Sequence, residues 1–213
     1  MSEVKKTKVH LISGFLGTGK TTALKSLMEQ KDPNEKWVII VNEFGEIGID
    51  GAVLSDNGIP VAEIAGGCLC CTAGPQMGVT VQKMLRDAKP DRLMIEASGL
   101  AHAASVIDEL KAKPLDSLLE ISAVFTVVDP RQFINPDYAQ QALYKDQIGI
   151  CDVLVASKTD LCTPEQLAEF HDKAAKLFPP KAKVVEVQNA QLDIQWLDIP
   201  VIEKSRYRLK ALP

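Results

Sequence analysis

The sequence has 213 residues, 46% of them hydrophobic, which is enough for one globular domain with a sizeable core and leaves no room for a second full domain. Its 24 basic and 28 acidic residues give a net charge of -4 with no basic block, which argues against a nucleic-acid or membrane surface and points to small molecules or proteins as partners. No stretch approaches the roughly 18 apolar residues of a membrane span, the N-terminal apolar run is too short for a secretory signal, and an odd set of five cysteines fits a reducing cytoplasm.

In chain order, "VHLIS" (9–13) reads as a first strand. It runs directly into "GFLGTGKTT" (14–22) and then a helix carrying Ala23, Leu24, Leu27 and Met28. This is G-x-x-x-x-G-K-T in the strand-loop-helix context of a phosphate-binding loop. Gly14 and Gly19 permit the tight backbone path, Gly17 and Gly19 let N–H groups converge on phosphate, and the helix N-terminus adds its dipole. Lys20 would reach the β and γ phosphates and the Thr21 hydroxyl would bind Mg²⁺; with Thr18 and Thr22 these residues form the candidate nucleotide-binding set. A second strand, "WVIIVN" (37–42), precedes the longest expected loop, Phe44 to Gly58, which an α/β fold would place where ligands bind.

"GGCLCC" (66–71) follows "VAEIA" and puts three thiols in four positions. In an extended segment Cys68 and Cys70 share a face and Cys71 points away, so three thiolates on one ion require a turn, which Gly66 and Gly67 allow. Soft thiolates select Zn²⁺ or Cu⁺, so a Co²⁺ or Ni²⁺ role would need metal supply or a partner to enforce it. Three sulfurs leave a coordination position open, which suits transfer of an ion better than storage. Adjacent Cys70 and Cys71 could close only a strained disulfide ring. Lone Cys151 and Cys162 read as small buried residues, and His10, His102 and His171 as structural groups rather than ligands.

Met77, Val81, Met84, Leu85 and Ala88 form a helical stripe that Pro90 ends. "RLMIEAS" (92–98) is a third strand ending in Glu96, a carboxylate that is costly to bury unless it meets a cation such as nucleotide-bound Mg²⁺. Gly99 could then offer its N–H to the γ-phosphate, making "EASG" a switch. "AVFTVVD" (123–129), "DVLVAS" (152–157) and "KVVEVQ" (183–188) complete six apolar runs, mostly continuous as in strands covered on both faces. After the fifth run comes "SKTD" (157–160), in which Asp160 can accept both guanine N1–H and the 2-amino group, Lys158 lies along the base, and Ser157 stands where guanine-reading motifs usually carry Asn. A further helix has Thr163 as N-cap, Pro164 at its first position, Gln166 closing a capping box, an apolar face of Leu167, Phe170, Ala174 and Leu177, and Pro179-Pro180 beyond it. Strands alternating with helices predict a three-layer α/β fold with a mainly parallel sheet, spanning residues 1–200 and followed by a tail or the start of another domain at 201–213.

The ordered set "GFLGTGKTT", "NEFGEIGIDG", "GGCLCC", "EASGLA" and "SKTD" resembles the CobW-type GTPases, which are similar to the GTPases that insert nickel into urease and hydrogenase. The resemblance runs from about Val9 to Asp198. It implies a P-loop NTPase fold and a GTP-hydrolysing metallochaperone that delivers zinc, cobalt or nickel to a client protein, with metal- or GTP-dependent dimerisation compatible with it. Residue by residue it implies phosphate and Mg²⁺ contacts for Lys20, Thr21 and Thr22, the Mg²⁺-associated acidic place for Glu96, and guanine contacts for Lys158 and Asp160. It assigns the first switch to Asn42, Glu43, Gly45 and Asp50, with Glu43 or Asp50 positioning Mg²⁺ or the attacking water, and the transition metal to Cys68, Cys70 and Cys71. Where some members carry an acidic metal ligand this chain has Val41, so Glu46 or Glu63 would have to serve. The family usually carries a C-terminal domain that would begin where this chain ends. Rival readings are a P-loop small-molecule kinase, which Asp160 argues against, a non-hydrolysing nucleotide-gated regulator of a metalloenzyme, and a redox protein using vicinal thiols.

Overall fold

A computed structural model describes residues 5–41, 58–63 and 74–201, with residues 63 and 74–76 as backbone only. The phosphate loop, the acidic strand end and the "SKTD" segment lie within these residues. The first-switch residues Asn42, Glu43, Gly45 and Asp50, the candidate donor Glu46 and the thiols Cys68, Cys70 and Cys71 lie outside them.

Strands β1 (Thr7–Ser13), β2 (Trp37–Val41), β3 (Val61–Glu63), β4 (Arg92–Glu96), β5 (Leu119–Val128), β6 (Val153–Ala156) and β7 (Lys183–Glu186) form one sheet in the order β3-β2-β4-β1-β5-β6-β7. Every pairing is parallel. Parallel neighbours need crossovers, and among the described residues these contain α1 (Lys20–Glu29), α2 (Gly74–Ala88), α3 (Ala103–Leu110), α4 (Pro130–Ile134), α5 (Pro136–Ala139), α6 (Ala142–Ile150) and α7 (Pro164–Ala175). The six expected runs are all strands, and the seventh, β3, is a three-residue edge strand too short to produce a pattern. The "SKTD" strand is therefore the sixth in the chain, not the fifth.

Strands β2, β4 and β6 are buried at every position, as their continuous apolar runs require. Alternate side chains then serve opposite layers. Val9, Leu11, Leu93 and Ile95 pack beneath α2 and α3, with Met77 and Val81 of the predicted stripe in the same cluster. Ile12, Met94, Phe125 and Val155 face α1 through Ala23, Leu24, Leu27 and Met28, together with Leu192 and Leu197 from the C-terminal segment. Val128, Leu154 and Phe170 join α4, α6 and α7 on the α2 side. The fold is the expected three-layer α/β arrangement. The capping box at Thr163, Pro164 and Gln166 is formed, although α7 stops at Ala175, before Leu177. Cys151 is buried, but Cys162 is only half-buried, because its short helical turn lies at the surface after β6.

At the N-terminal ends of the strands a polar cluster interrupts the apolar packing. Arg92 donates through Nε to Glu35 at 2.8 Å and pairs both terminal nitrogens with the Asp198 carboxylate at 3.1 and 3.0 Å. These bonds draw the Asp198 carboxyl down to about 2, chiefly through the Arg92 hydrogen bonds. His10 is fully buried against this cluster, with Nε2 3.1 Å from Arg92. Burial first and the Arg92 charge second depress its pKa from 6.5 to about 3. It is thus a structural group, as its place in a strand suggests.

A histidine kept neutral in the folded state and protonated in the unfolded one makes stability rise with pH. Its contribution is complete above pH 6.5 and is lost as the pH falls toward 3. The slope from this group approaches about 1.4 kcal/mol per pH unit within that window. Urea unfolding at pH 7, 5 and 4 should show this limb in the parent protein and a much flatter one in His10→Gln. An unchanged slope would remove His10 as its source.

Candidate functional site

The site gathers at the carboxyl end of β1, where the sheet order reverses between β4 and β5. Open α/β sheets bind ligands at such a switch point. Gly14 leaves β1 with φ of 141°, and a Cβ there would lie 2.2 Å from the Val127 carbonyl oxygen, so only glycine permits the approach to β5. Gly19, at φ 97°, caps α1 and turns the chain into the helix. Between them the loop is cross-tied on one atom: the Phe15 carbonyl accepts from Thr18 Oγ1 at 2.9 Å and from Lys20 Nζ at 3.1 Å. Lys20 is therefore folded back onto the loop, with its side chain mostly buried.

Period-two alternation decides what Glu96 meets. Arg92, Met94 and Glu96 share one face of β4, and Met94 packs in the α1-side cluster, so Glu96 is aimed at the first turn of α1. There Thr21 Oγ1 donates to Glu96 Oε1 at 2.7 Å. Glu96 is 5% exposed. A hydroxyl and a carboxylate at the start of a phosphate-loop helix are hard oxygen donors, the class Mg²⁺ takes alongside phosphate, so these two residues fit a nucleotide-bound Mg²⁺. Thr22, next along, is exposed on the helix surface.

The turn after β4 packs directly on the loop. A Cβ on Gly99 would sit 2.7 Å from Leu16 Cδ2 and 2.8 Å from the Leu16 amide nitrogen, so glycine is again required by close approach. Hence Gly99 and the phosphate loop are neighbours, as a γ-phosphate contact would need.

"SKTD" divides into two parts. Ser157 is buried, and its hydroxyl lies 2.7 Å from the Thr18 carbonyl and 3.1 Å from that of Val128. It braces the phosphate loop against β5 instead of facing solvent. Lys158 follows in a left-handed conformation at φ 55°, which turns the chain outward and leaves Asp160 exposed on the short helical turn Thr159–Leu161. Asp129, at the end of β5, adjoins this segment. Its carboxylate accepts from the Arg131 amide and guanidinium at 2.7 to 3.0 Å. Burial alone would raise the Asp129 carboxyl, but the Arg131 bonds, helped by the charge of Lys158, hold it below the usual range.

Sequence reasoning missed one neighbour altogether. After β7 the chain passes through Asn189 and Ala190, both left-handed at φ 50° and 51°, and the position of a Gly19 Cβ lies 3.4 Å from Ala190 Cβ. This segment is strapped to α1 by Ser26, whose hydroxyl lies 3.3 Å from the Ala190 carbonyl and accepts from the Leu192 amide at 3.0 Å. Gln30 adds a bond to the Leu192 carbonyl at 2.6 Å. A polar "QNAQ" carries no motif signal, and only Ser26 and Gln30, spaced one helical turn apart, hint at the strap.

The structure thus brings Gly14, Thr18, Gly19, Lys20, Thr21, Glu96, Gly99 and Ser157 together. Gly17, at φ 71°, is open on the same loop. Val41 is buried and paired in register with both Glu96 and Glu63. Glu63 accordingly ends its strand on the same rim of the sheet as Glu96. Among the described residues no group of three or more His, Cys, Asp or Glu is placed to hold a metal ion, and no helix is long and apolar enough to cross a membrane.

Residues 8–186 match the family model described as CobW/HypB/UreG, nucleotide-binding domain. A zinc chaperone, YeiR of Escherichia coli K12, is 46% identical over 159 residues, covering 75% of this chain and 48% of the relative. A zinc chaperone CobW of Pseudomonas aeruginosa is 30% identical across 91% of this chain and 60% of its own length. The chain therefore spans about half to three-fifths of these relatives. Among solved structures, zinc-bound YjiA GTPase from E. coli matches with a TM-score of 0.63 at 22% identity, covering 91% of this chain and 61% of that one. Nickel-bound HypB from Helicobacter pylori matches at 0.60 and 18% identity, covering 91% of this chain and 83% of that one. At these identities the two structures establish the P-loop fold. With the family match spanning the phosphate loop, the acidic strand end and "SKTD", this chain belongs to the CobW/HypB/UreG nucleotide-binding domain family.

Proposed function

We propose that this domain binds and hydrolyses GTP and uses the nucleotide state to control delivery of a transition metal, zinc foremost, to a client protein. The observation that carries the reading is the Thr21–Glu96 pair behind the phosphate loop, in a chain whose relatives bear the names of zinc chaperones. Lys20 would move its ammonium from the Phe15 carbonyl to the β and γ phosphates. Thr21 and Glu96 would hold Mg²⁺, which neutralises charge between those phosphates when bound. Gly99 would offer its amide to the γ-phosphate, and Glu43 or Asp50 would orient the attacking water. Catalysis of this kind is positioning and charge stabilisation, so turnover without a partner should be slow. Cys68, Cys70 and Cys71 would hold the metal cargo, with Cys70 the central ligand and Glu46 or Glu63 available as a fourth donor.

If GTP alters metal affinity, metal must alter GTP affinity by the same factor. Anaerobic titration of Zn²⁺, Co²⁺ and Ni²⁺ into protein carrying a GTP analogue or GDP should give zinc affinities differing at least about tenfold between the two states, a coupling of roughly 1.4 kcal/mol. Cys70→Ala should abolish the tight site. Equal affinities in both states would sink the coupling even if hydrolysis survived, and the absence of hydrolysis in single-turnover assays would favour the nucleotide-gated regulator instead.

Guanine selection should rest on Asp160. Charge-assisted hydrogen bonds are worth about 1.5–3 kcal/mol, so Asp160→Asn should weaken GTP binding roughly 10- to 100-fold. ATP binding should scarcely change. Parallel losses for both nucleotides in fluorescence titrations would show that Asp160 does not read the base.

A further inference from the structure

Helix α6 sits beside the site without belonging to any motif, yet one of its side chains reaches the turn that carries Gly99. Gln147 is 1% exposed. Its Nε2 donates to the Gly99 carbonyl at 3.2 Å and to the Ala101 carbonyl at 3.3 Å, one on each side of Leu100. Both facing atoms are carbonyl oxygens, so the amide orientation is dictated: NH₂ toward the turn, oxygen away. Among the described residues the Gln147 Oε1 then has no hydrogen-bond partner. A buried acceptor left in that condition is unfavourable, and an apolar side chain of the same length would avoid it. Filling space does not account for a glutamine here, whereas holding two carbonyls does.

Both ends of this connection are fixed. The backbone carbonyl of Gln147 accepts from Thr126 Oγ1 of β5 at 2.9 Å, which ties α6 to the sheet. The turn is closed on itself by the Ala101 amide donating to the Ser98 carbonyl at 3.0 Å. The residue just before Gln147, Asp146, accepts through its carboxylate from the Ala104 amide at 3.4 Å and lies 3.8 Å from His102, serving the start of α3 where His102 makes no cap of its own. On its remaining side the turn is held by contact of Gly99 with Leu16. Gln147 therefore ties the Ser98–Ala101 turn to α6 while Gly99 of the same turn adjoins the phosphate loop.

We infer that Gln147 is a positioning residue: it latches the Ser98–Ala101 turn in place beside the phosphate loop and so sets how strongly the domain distinguishes a nucleoside triphosphate from the diphosphate. The coupling to nucleotide rests on the GTPase reading above; the latch itself does not. A turn held in place presents the Gly99 amide to a γ-phosphate without further ordering, and only the triphosphate gains from this.

Gln147→Met keeps the length of the side chain and removes both donors. In nucleotide-free protein, hydrogen exchange of the segment 97–104 should accelerate at least about tenfold, while the β5 and α6 segments stay within about threefold. The ratio of GDP to GTP-analogue dissociation constants should fall about tenfold through loss of triphosphate affinity alone, with GDP binding within twofold. Should Gln147→Met not fold, Gln147→Leu is read in the same way, since it too has no proton to donate. Unchanged exchange at 97–104 would overturn the latch, and equal weakening of both nucleotides would reduce Gln147 to an ordinary core residue. A parent protein that bound neither guanine nucleotide would sink the GTPase reading separately, leaving the exchange result to decide the latch.

Discussion

The hydrogen bond from Thr21 to Glu96 joins the first turn of α1 to the last residue of β4, and the rest of the site is arranged around it. It depends on β1 lying directly beside β4, with Ile12 in register with Glu96, so that the loop leaving β1 returns over the carboxylate. On the other side of β1, the same loop is pressed so closely to β5 that no side chain fits at Gly14. Ser157 then ties the loop carbonyl of Thr18 to the β5–β6 side. The phosphate loop is thus braced from both neighbours of β1, and each brace uses a polar atom or a missing side chain where apolar packing would otherwise run on.

Much of this was legible in the sequence because it depends on local spacing. The phosphate loop, the helix that follows it and the capping box at Thr163 each occupy fewer than a dozen residues, and each has a stereochemical reason for its residue types. Glu96 could be singled out because a carboxylate ending an apolar run has to be compensated. What could not be read were the contacts between segments distant in the chain. Ser157 looks like a weak substitute for a base-reading Asn until Thr18 is seen 139 positions away, at hydrogen-bond distance. Asn189 and Ala190 adopt left-handed backbone without glycine because Ser26 and Gln30 hold the segment on α1. Strand β3 has only three residues, too few for periodicity of either kind. The half-exposed Cys162 follows from a surface turn whose position the residue type does not encode.

One face of β4 carries both of its buried charges. Glu96 ends the strand at the nucleotide rim, while Arg92 begins it among Glu35, Asp198 and His10. Four residues apart in an extended chain, they are separated by roughly 13 Å of apolar packing. Each charge is costly to bury alone and is met by groups from other segments, so both fix the positions of those segments. The Arg92 cluster anchors the short helical turn Ile194–Asp198, and with it the strap at residues 188–192 that lies along α1.

The consequence is a division within the fold. Helix α1 is held at its start by Thr21 and Glu96, along its length by Ser26 and Gln30, and beneath by the cluster around Ile12 and Met94. An element tied at so many points transmits a change of ligand poorly, because moving it would break bonds at both ends of β4 together. The turn at Ser98–Ala101 is different: it adjoins the loop through Gly99, which contributes no side chain, and a buried carboxamide ties it to α6. A rigid base with a rim already held in position is the arrangement in which one added phosphate meets its partner without a prior ordering cost.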